Sequence, residues 1–377
     1  MQTNDNNIGV SIIMQDLEKA QELRKAVVST PGFQLLEDPG EKRDSVVLVE
    51  VNGRAEHMLK EAFELKRRGL VGGVIMTARN YQQDLLLRCI QMGVDEFLPS
   101  PLSPDDFLAA LRRYRIKHLT EQGGDSNGKS IAVLGARSGV GTTTIAVGLA
   151  YWFLEQKKKV AIIDLARPHG DLSLFMDVEH EYSWKDAFVN LRRMDGTFLK
   201  SLMFEHKKDL FVLPAPTSLQ ERSTINADGV QELIFGTLEQ FDIVIIDAGS
   251  MLDNTTLMTL ERVDLPIVVS LMSLPILAST KYTLDLCRQI SPPLGERMKL
   301  VINRFSSKSV LEKEEVTSIT GKEIFAEIQE DPDKVLAAIN RGIPLFEAYP
   351  GSIATKGIRT LGGKLIQGPR TSLFGGL

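Results

Sequence analysis

Along residues 8–118, short apolar runs alternate with stretches in which apolar residues recur at helical spacing. Short apolar runs of the kind that form buried strands recur at 8–14, 33–36, 45–51, 73–76 and 97–98. Between these runs, apolar residues fall at helical spacing at 17–28, 58–65, 85–92 and 105–115. Five short strands separated by helices are typical of a doubly wound parallel α/β sheet.

The same alternation resumes further along, beginning with a strand that enters a glycine-rich loop. The apolar run 131–134 leads into residues 135–141 (GARSGVG), and three threonines then open an apolar helical stretch. Further apolar strands are predicted at 160–165, 210–213, 241–247, 265–271 and 299–302. The predicted fold class of the whole chain is α/β, with two doubly wound parallel-sheet domains.

A polar segment separates the two alternating regions. Residues 122–129 (QGGDSNGK) are glycine-rich and show no apolar periodicity, which is typical of a linker. A chain of 377 residues is also long for a single hydrophobic core. We therefore predict a first domain at 1–120, a linker at 121–129 and a second domain at 130–377.

The glycine-rich loop has the layout of a phosphate-binding site. Backbone N–H groups at the start of a helix converge on an anion, and the helix dipole adds to their field. Gly139 and Gly141 let the backbone approach phosphate oxygens closely. In the P-loop motif G-x-x-x-x-G-K-[ST], however, the lysine reaches the phosphates. Ala136 replaces the first glycine of that motif and Thr142 replaces the lysine, so the main cation is absent. A tight strand-to-helix turn without a ligand is the alternative.

Two strands that follow the loop end in carboxylates. Asp164 ends the run VAIID, and Asp247 ends FDIVIID, which has the form of a Walker B strand. A carboxylate in that place holds Mg²⁺ or its waters near the terminal phosphate of a nucleotide. A strand that simply ends in aspartate before a turn is the alternative.

Composition excludes several other classes of function. The net charge of −5 and the pI near 5.7 argue against a protein that holds nucleic acid through its overall field. Cys89 and Cys287 lie in apolar helical patterns and are predicted to be buried thiols, and no cluster has metal-ligand spacing. The polar start MQTNDNN is unlike a signal peptide, and no apolar run is long enough to span a membrane. These features predict a cytoplasmic protein.

The loop resembles the deviant P-loop of the MinD/ParA ATPases, K-G-G-x-G-K-T-T, in which an early lysine reaches across a dimer. Arg137 stands at the position of that lysine, and residues 138–144 (SGVGTTT) complete the match. Arginine at the first lysine and a polar residue at the second resemble the TadZ/CpaE branch. Members of that branch are localisation and assembly factors of tight-adherence (Flp-type) pili.

This resemblance implies that the second domain binds ATP and Mg²⁺. The cofactor-binding residues it implies are Arg137, Ser138, Gly139, Val140, Gly141, Thr142, Thr143, Thr144, Asn303 and Arg304. Asn303 would read the adenine edge, for which an amide has a matching donor and acceptor. The implied metal residues are Thr143, Asp164 and Asp247.

The family's water-positioning pattern, D-x-D, is incomplete. Asp164 keeps its first acid, and Ala166 stands at the second. Asp171 lies further on, at a spacing that matches the pattern less well. We therefore expect little or no ATP hydrolysis and assign no catalytic residue.

The N-terminal region resembles a response-regulator receiver domain, most clearly at residues 93–111 (GVDEFLPSPLSPDDFLAAL). A working receiver needs an acid pair after its first strand, an aspartate ending its third strand and a lysine ending its fifth. Asp16 is a single acid at the first place, Glu50 stands at the second and Ser100 at the third, while Thr77 is retained. We interpret the region as a degenerate receiver used for docking. A flavodoxin-like domain without signalling ancestry is the alternative.

These resemblances lead to one functional hypothesis and two alternatives. The hypothesis is a homodimeric factor for pilus assembly or polar localisation, with a secretion ATPase or an inner-membrane platform as protein partner and no nucleic acid. The alternatives are a slow MinD-type ATPase that cycles on the inner membrane, and a regulator of flagellar number.

The tail from residue 354 has an apolar stripe at helical spacing, formed by Ile358, Leu361, Leu365 and Ile366. MinD ends in an amphipathic helix that seeks the membrane, so peripheral membrane contact is one interpretation. Gly362 and Gly363 weaken such a helix by about 1 kcal/mol each. We therefore expect the tail to pack against the core or a partner.

Overall fold

The structure is a computed structural model with two compact units, Met1–Asp125 and Ser126–Leu377. It describes residues 7–30, 32–42, 45–51, 55–78, 93–121, 128–189, 196–222, 225 and 227–367. The predicted helix at 85–92, with Cys89, and most of the predicted linker lie outside these residues.

The described part of the first unit contains one parallel sheet of five strands. These strands are β1 Ile8–Ile13, β2 Phe33–Leu35, β3 Val46–Val51, β4 Gly73–Ala78 and β5 Glu96–Pro99. The helices described here are α1 Leu17–Val28, α2 Ala55–Arg67 and α3 Pro104–Glu121. The strand order β2-β1-β3-β4-β5 is that of the flavodoxin-like doubly wound fold.

Both faces of this sheet are covered, as its near-continuous apolar strands predict. On one face α1 and α3 pack Leu23 and Phe107 against Leu48. On the other face Ala62 of α2 packs near Val49. Because the side chains of a strand point alternately to the two faces, β3 contributes to both cores.

The second unit contains a larger sheet that runs in the order β13-β12-β11-β6-β10-β7-β9-β8. Its strands are β6 Lys129–Gly135, β7 Val160–Asp164, β8 Phe204–Lys207, β9 Leu210–Leu213, β10 Ile243–Asp247, β11 Leu265–Ser270, β12 Lys299–Phe305 and β13 Ile324–Gln329. Every pairing in it is parallel except that between β8 and β9. The predicted α/β class with two parallel sheets is thus confirmed. The sequence predicted neither of the two edge strands, β8 and β13, nor the antiparallel pairing of β8 with β9.

The second unit's helices, within the described residues, include four long ones: α4 Thr142–Glu155, α9 Ala227–Leu238, α11 Leu274–Ile290 and α16 Ile353–Gln367. Shorter helices connect the remaining strands. They are α5 Leu172–Phe175, α6 Trp184–Val189, α7 Gly196–Leu202, α8 Leu219–Arg222, α10 Asn254–Arg262, α12 Pro292–Arg297, α13 Lys313–Thr320, α14 Pro332–Asn340 and α15 Leu345–Ala348. No helix of the described chain is both long and apolar enough to cross a bilayer.

Helix α4 lies at the centre of one face of this sheet, and ten of its residues are buried. Its neighbour there is α16, whose stripe of Ile358, Leu361 and Leu365 is buried in the same core. The expectation that this apolar stripe packs against the core therefore agrees with the structure. Ile366, the fourth residue of the predicted stripe, is exposed instead.

Gly362 is required by the contact between α16 and α4. A Cβ built on Gly362 would lie 2.3 Å from the indole ring of Trp152, whereas one built on Gly363 meets nothing within 4 Å. The two glycines, which weaken an isolated helix equally, therefore have different roles.

We expect Gly362→Ala to lower the free energy of unfolding of the second unit by about 1–3 kcal/mol, because the added methyl overpacks the indole. Gly363→Ala, the matched control, should raise it by roughly 0.5–1 kcal/mol, since it only removes backbone freedom from the unfolded chain. Denaturant unfolding of the two variants measures both values. Equal shifts of the same sign would contradict the assigned packing.

Candidate functional site

The loop between β6 and α4 has the backbone of an anion-binding turn. Gly139 and Gly141 have φ of +81° and +96°, a region that side chains disfavour. Gly141 is the residue before the first turn of α4, and no side chain caps that turn. The first N–H groups of the helix therefore remain available to an anion.

Thr142, at the position of the P-loop lysine, is turned inward. Its side chain is buried, and a Cβ built on Gly135 would lie 2.4 Å from the Thr142 hydroxyl oxygen. The hydroxyl therefore packs against the end of β6. Arg137, Ser138 and Gly139 are exposed, while Val140 is completely buried and anchors the loop.

Thr143 and Asp247 form the polar centre of the site. The Thr143 hydroxyl donates to Asp247 Oδ2 at 2.6 Å, and the Gly249 N–H donates to Oδ1 at 3.0 Å. Asp247 is fully buried, and its position at the end of β10 places it between β6 and β7. Burial raises the pKa of Asp247 above its usual range, although both hydrogen bonds oppose the rise. A hydroxyl beside a buried carboxylate can supply oxygen ligands to a cation such as Mg²⁺, whose other ligands include the phosphates of a bound molecule.

Asp164 is the register partner of Asp247 on the neighbouring strand, but its side chain has different contacts. Oδ1 accepts the Ala166 N–H at 3.0 Å and Oδ2 accepts the Leu172 N–H at 3.1 Å. The buried indole of Trp184 donates to the Asp164 carbonyl at 2.9 Å. These contacts give Asp164 a structural role in holding the loop that follows β7, and its contact with a metal stays a prediction.

Asp171 was the weaker candidate by spacing, and the structure places it near the polar centre. The residues on both sides of it, Gly170 and Leu172, touch the Asp164 carboxylate, so the loop returns to the sheet edge here. Asp171 is close enough that its charge helps to raise the pKa of Asp247. Its carboxylate forms no hydrogen bond or ion pair within the described residues. Ala166 is buried against Gly249.

Asn303 and Arg304 lie near the carboxyl end of β12, on the other side of the loop. Asn303 Nδ2 donates to the Val140 carbonyl at 2.8 Å, and Arg304 donates from Nη2 to the Gly139 carbonyl at 3.0 Å. Both residues also line a cavity of about 260 Å³ beside Gly141. Asn303, predicted to read the base, and Arg304, predicted only as a cofactor-binding residue, thus contact the phosphate loop itself, which the sequence did not indicate.

That cavity is lined by both polar and apolar residues. Its lining residues are Gly141, Thr144, Ile145, Asn303, Arg304, Ile328, Gln329, Glu330, Asp331, Pro332, Val335, Leu336, Ile339, Ala354 and Ile358. Concave apolar space with a few polar groups is typical of small-molecule sites. The sequence predicted none of the residues on the β13 and α14 side.

Arg137 lies on the outer surface of the loop. Its Nε donates to the Ser279 hydroxyl on α11 at 2.7 Å. The two terminal guanidinium nitrogens have no partner among the residues that the structure describes. The contact orients the side chain and leaves its terminal nitrogens open to solvent.

A family model for the CobQ/CobB/MinD/ParA nucleotide-binding domain matches residues 131–345, more than half of the chain. The chain belongs to this family. The match begins in β6 and ends in α15, so it contains the loop, Asp247 and Asn303. Membership in the MinD/ParA group, predicted from the loop, is confirmed.

Individual relatives of the MinD/ParA group are distant. An ATP-binding protein of Methanocaldococcus jannaschii is 25% identical over 238 residues, which cover 63% of this chain and 87% of the relative. A ParA family ATPase from Chlorobium tepidum matches with a TM-score of 0.59 and 23% identity, covering 62% of this chain and 98% of that one. The septum site-determining protein MinD from Pyrococcus horikoshii, complexed with Mg-ADP, matches with a TM-score of 0.55 and 18% identity, covering 64% and 96%.

The first unit has a cavity of its own, of about 360 Å³, where β1, β3, β4 and β5 end. Its lining residues are Met14, Asp16, Lys19, Glu50, Thr77, Ser100, Pro101 and Leu102. Glu50 is buried and accepts the Gln15 N–H at 3.0 Å. Asp16 accepts the Lys19 N–H at 3.0 Å and so caps α1. The four residues compared with a receiver site, Asp16, Glu50, Thr77 and Ser100, are thus brought together.

Proposed function

We propose that the second unit binds ATP with Mg²⁺ at the loop that opens α4. The observation that carries this proposal is the 2.6 Å hydrogen bond between Thr143 and Asp247. A bound Mg²⁺ usually takes one or two protein oxygens and completes its shell with water and phosphate oxygens. It would neutralise charge on the terminal phosphates. The amides of residues 139–144 would hold those phosphates, and the cavity beside Asn303 would hold the base.

We further propose that hydrolysis is very slow. Thr142 carries no charge to offset the developing negative charge, and loss of one such donor costs on the order of 10²–10³ in rate. Ala166 cannot orient a water. ATP should therefore bind while turnover stays near the uncatalysed background.

Equilibrium binding of labelled ATP with and without Mg²⁺, followed by phosphate release from the same sample, tests this. Thr142→Lys, which restores the lysine of the motif, is the matched variant and should bind ATP more tightly. A wild-type turnover of about 1 s⁻¹, the low end for ordinary enzymes, would contradict the proposal.

A slow ATPase that cycles as MinD does is the second candidate, and the position of Asp171 favours it. An unpaired carboxylate near Asp247 could take over water positioning from the position that Ala166 occupies. If so, Asp171→Asn would reduce phosphate release while leaving ATP affinity intact. In a binding module without turnover, the same variant would change neither phosphate release nor ATP affinity.

For the biological role, we propose a homodimeric assembly or polar localisation factor of a tight-adherence pilus system. The support is the TadZ/CpaE-like loop, with Arg137 and Thr142 at the two lysine positions, together with a flavodoxin-like unit before it. Its partner would be a secretion ATPase or an inner-membrane platform protein. Deletion in the source organism should abolish surface pili and leave flagellar number unchanged. Altered flagellar number with normal pili would favour the flagellar regulator instead.

We propose that residues 1–120 are a degenerate receiver used for docking, joined by the segment 121–129 to the nucleotide-binding domain at 130–377. The flavodoxin-like strand order and the meeting of Glu50, Thr77 and Ser100 at one cavity support this. Among the described residues that line this cavity, Asp16 and Glu50 are the acids, and Mg²⁺ would have few oxygen ligands.

The first unit should therefore not accept a phosphoryl group. Glu50 stands at the acceptor position, with its carboxylate already bonded to the Gln15 N–H, and Ser100 supplies no charge. Incubation with a small-molecule phosphodonor and intact-mass analysis should show no stable addition. A single phosphate mapped to residues 1–118 would refute this interpretation.

A further inference from the structure

Two consecutive side chains at the end of β12 hold two consecutive carbonyls of the phosphate loop. Asn303 Nδ2 lies 2.8 Å from the Val140 oxygen, and Arg304 Nη2 lies 3.0 Å from the Gly139 oxygen. Asn303 is buried and Arg304 is exposed. Arg304 has a φ of +49°, an uncommon value for a residue with a side chain. The backbone therefore bends at the point from which both side chains reach the loop.

The contact between Asn303 and the loop is close. A Cβ built on Gly141 would lie 2.2 Å from Asn303 Nδ2, so only glycine fits beside this amide. Gly141 also has a φ of +96°, which favours glycine for a second reason. The loop and the end of β12 thus fit together as one unit.

Peptide geometry turns these two bonds into control over the phosphate-facing amides. In a trans peptide the C=O and the N–H of the same plane point in opposite directions. A donor that fixes the Gly139 carbonyl also fixes the N–H of Val140, and one that fixes the Val140 carbonyl also fixes the N–H of Gly141. These amides belong to the turn that would receive an anion. In most P-loops the charged lysine side chain also engages the phosphates. The Thr142 side chain carries no charge, so the orientation of the amides carries more of the binding.

We propose that Asn303 and Arg304 are positioning residues that hold the loop amides ready for phosphate. This role adds to any contact they make with a base, and it rests on the proposed binding of nucleotide at this loop. An asparagine amide has two N–H groups and an acceptor oxygen, so bonding Val140 leaves capacity for a base. Because both residues also line the 260 Å³ cavity, a ligand there would steady the same contacts.

The test compares Arg304→Ala, Arg304→Lys and Asn303→Asp in the full chain. The last of these replaces the amide with a carboxylate, which keeps the shape of the side chain and removes its donor. Arg262→Ala, at an exposed arginine of α10, is the control. Affinities for ATP, GTP and pyrophosphate are measured with Mg²⁺, and exchange of the Val140 and Gly141 amides is measured without ligand. Thermal unfolding checks that the variants fold. Because Arg304 is exposed, its replacement should leave the fold intact.

A positioning role predicts that Arg304→Ala and Asn303→Asp weaken binding of all three ligands by about 5- to 20-fold, a loss between the scales of a neutral and a charged hydrogen bond. The ratio of ATP to GTP affinity should stay constant, and the two amides should exchange faster. Arg304→Lys should recover part of the affinity. Weaker ATP binding with unchanged pyrophosphate binding and unchanged exchange would overturn the proposal in favour of base reading alone.

The exchange measurement separates this proposal from the nucleotide proposal. If the wild type binds none of the three ligands, nucleotide binding fails, while faster exchange in the variants would still support the positioning role. Unchanged exchange in both variants would overturn that role whatever the wild type binds.

Discussion

An Asp247→Asn variant is expected to lose Mg²⁺-dependent ATP binding and, without ligand, to unfold at a higher temperature than the wild type. The carboxylate lies fully buried, and its pKa is raised chiefly by that burial. A neutral amide removes the cost of burying the charge while it can still bond Thr143 and Gly249. It cannot replace the charge that attracts Mg²⁺. Stability would be traded here for function.

We expect the affinity for ATP with Mg²⁺ to fall by about 100-fold, at the upper end of effects for residues that support a metal. The midpoint of thermal unfolding should rise by roughly 2–4 °C, which corresponds to about 1 kcal/mol in a unit of this size. Calorimetric titration and a thermal scan of the same samples give both numbers.

Asp264→Asn is the matched control. Asp264 accepts the N–H and the hydroxyl of Ser130 at 2.7 Å, at the opposite end of β6 from the loop. Its replacement should lower the unfolding temperature and leave ATP affinity unchanged. If the Asp247→Asn variant bound Mg-ATP as tightly as the wild type does, Asp247 would not be part of the site.

The pH dependence follows from the raised pKa of Asp247. A carboxyl whose pKa is higher in the folded than in the unfolded state favours folding most when it is protonated, at a pH below its unfolded pKa. This contribution to stability is lost as the pH rises through the folded pKa and the buried group becomes charged. The advantage of Asp247→Asn should therefore shrink as the solution is acidified. Mg²⁺-dependent binding by the wild type should weaken over the same range, because the protonated acid is a poor ligand.

Most of the strand and helix order could be predicted because the sheets are parallel and buried on both faces. Their strands, such as Ile243–Asp247, are continuous apolar runs bounded by polar turns. Strand β9 was predicted, but its edge partner β8 was missed because Phe204–Lys207 is short, largely exposed and polar. Edge strands carry little of the apolar pattern on which sequence prediction depends.

The site could be predicted only where a motif is continuous in sequence or ends a strand. Thr143 and Asp247 were predicted in this way, and in the structure the Thr143 hydroxyl lies 2.6 Å from Asp247 Oδ2. The contacts of Asn303 with Val140 span 163 positions, and no local pattern indicates them. The nearness of Asp171 to Asp247 could not be predicted from its spacing along the chain, because the loop between Asp164 and Asp171 folds back to the sheet.

Gly362 shows that a packing contact between distant residues also could not be predicted from the local sequence. Helix propensity counts it as a weakness, equal to Gly363. Its role depends on Trp152, which lies more than 200 positions earlier in the chain and supplies the ring that fills the space of its side chain. Pairwise fit between distant residues is a property of the folded chain, which local propensity does not record.

Arg137→Ala is expected to weaken ATP-dependent dimerisation by about 1.5–3 kcal/mol, the range for a hydrogen bond to a charged group. Nε of Arg137 donates to Ser279, and neither terminal nitrogen has a partner in the part of the chain that the structure describes. A planar guanidinium can bond two phosphate oxygens at once. Since Thr142 supplies no charge, Arg137 is the cation within the loop that could reach a partner's nucleotide.

Ser279→Ala separates this role from a local one. If Arg137 serves only to tie the loop to α11, removal of the Ser279 hydroxyl should weaken the dimer as much as Arg137→Ala does. If the guanidinium crosses to a second copy, Ser279→Ala should leave the dimer nearly intact, and Arg137→Lys should keep part of it through charge alone. Sedimentation velocity at saturating ATP measures the dimer fraction of each variant. Equal fractions for the wild type and Arg137→Ala would mean that Arg137 does not cross, and that any dimer forms through other surfaces.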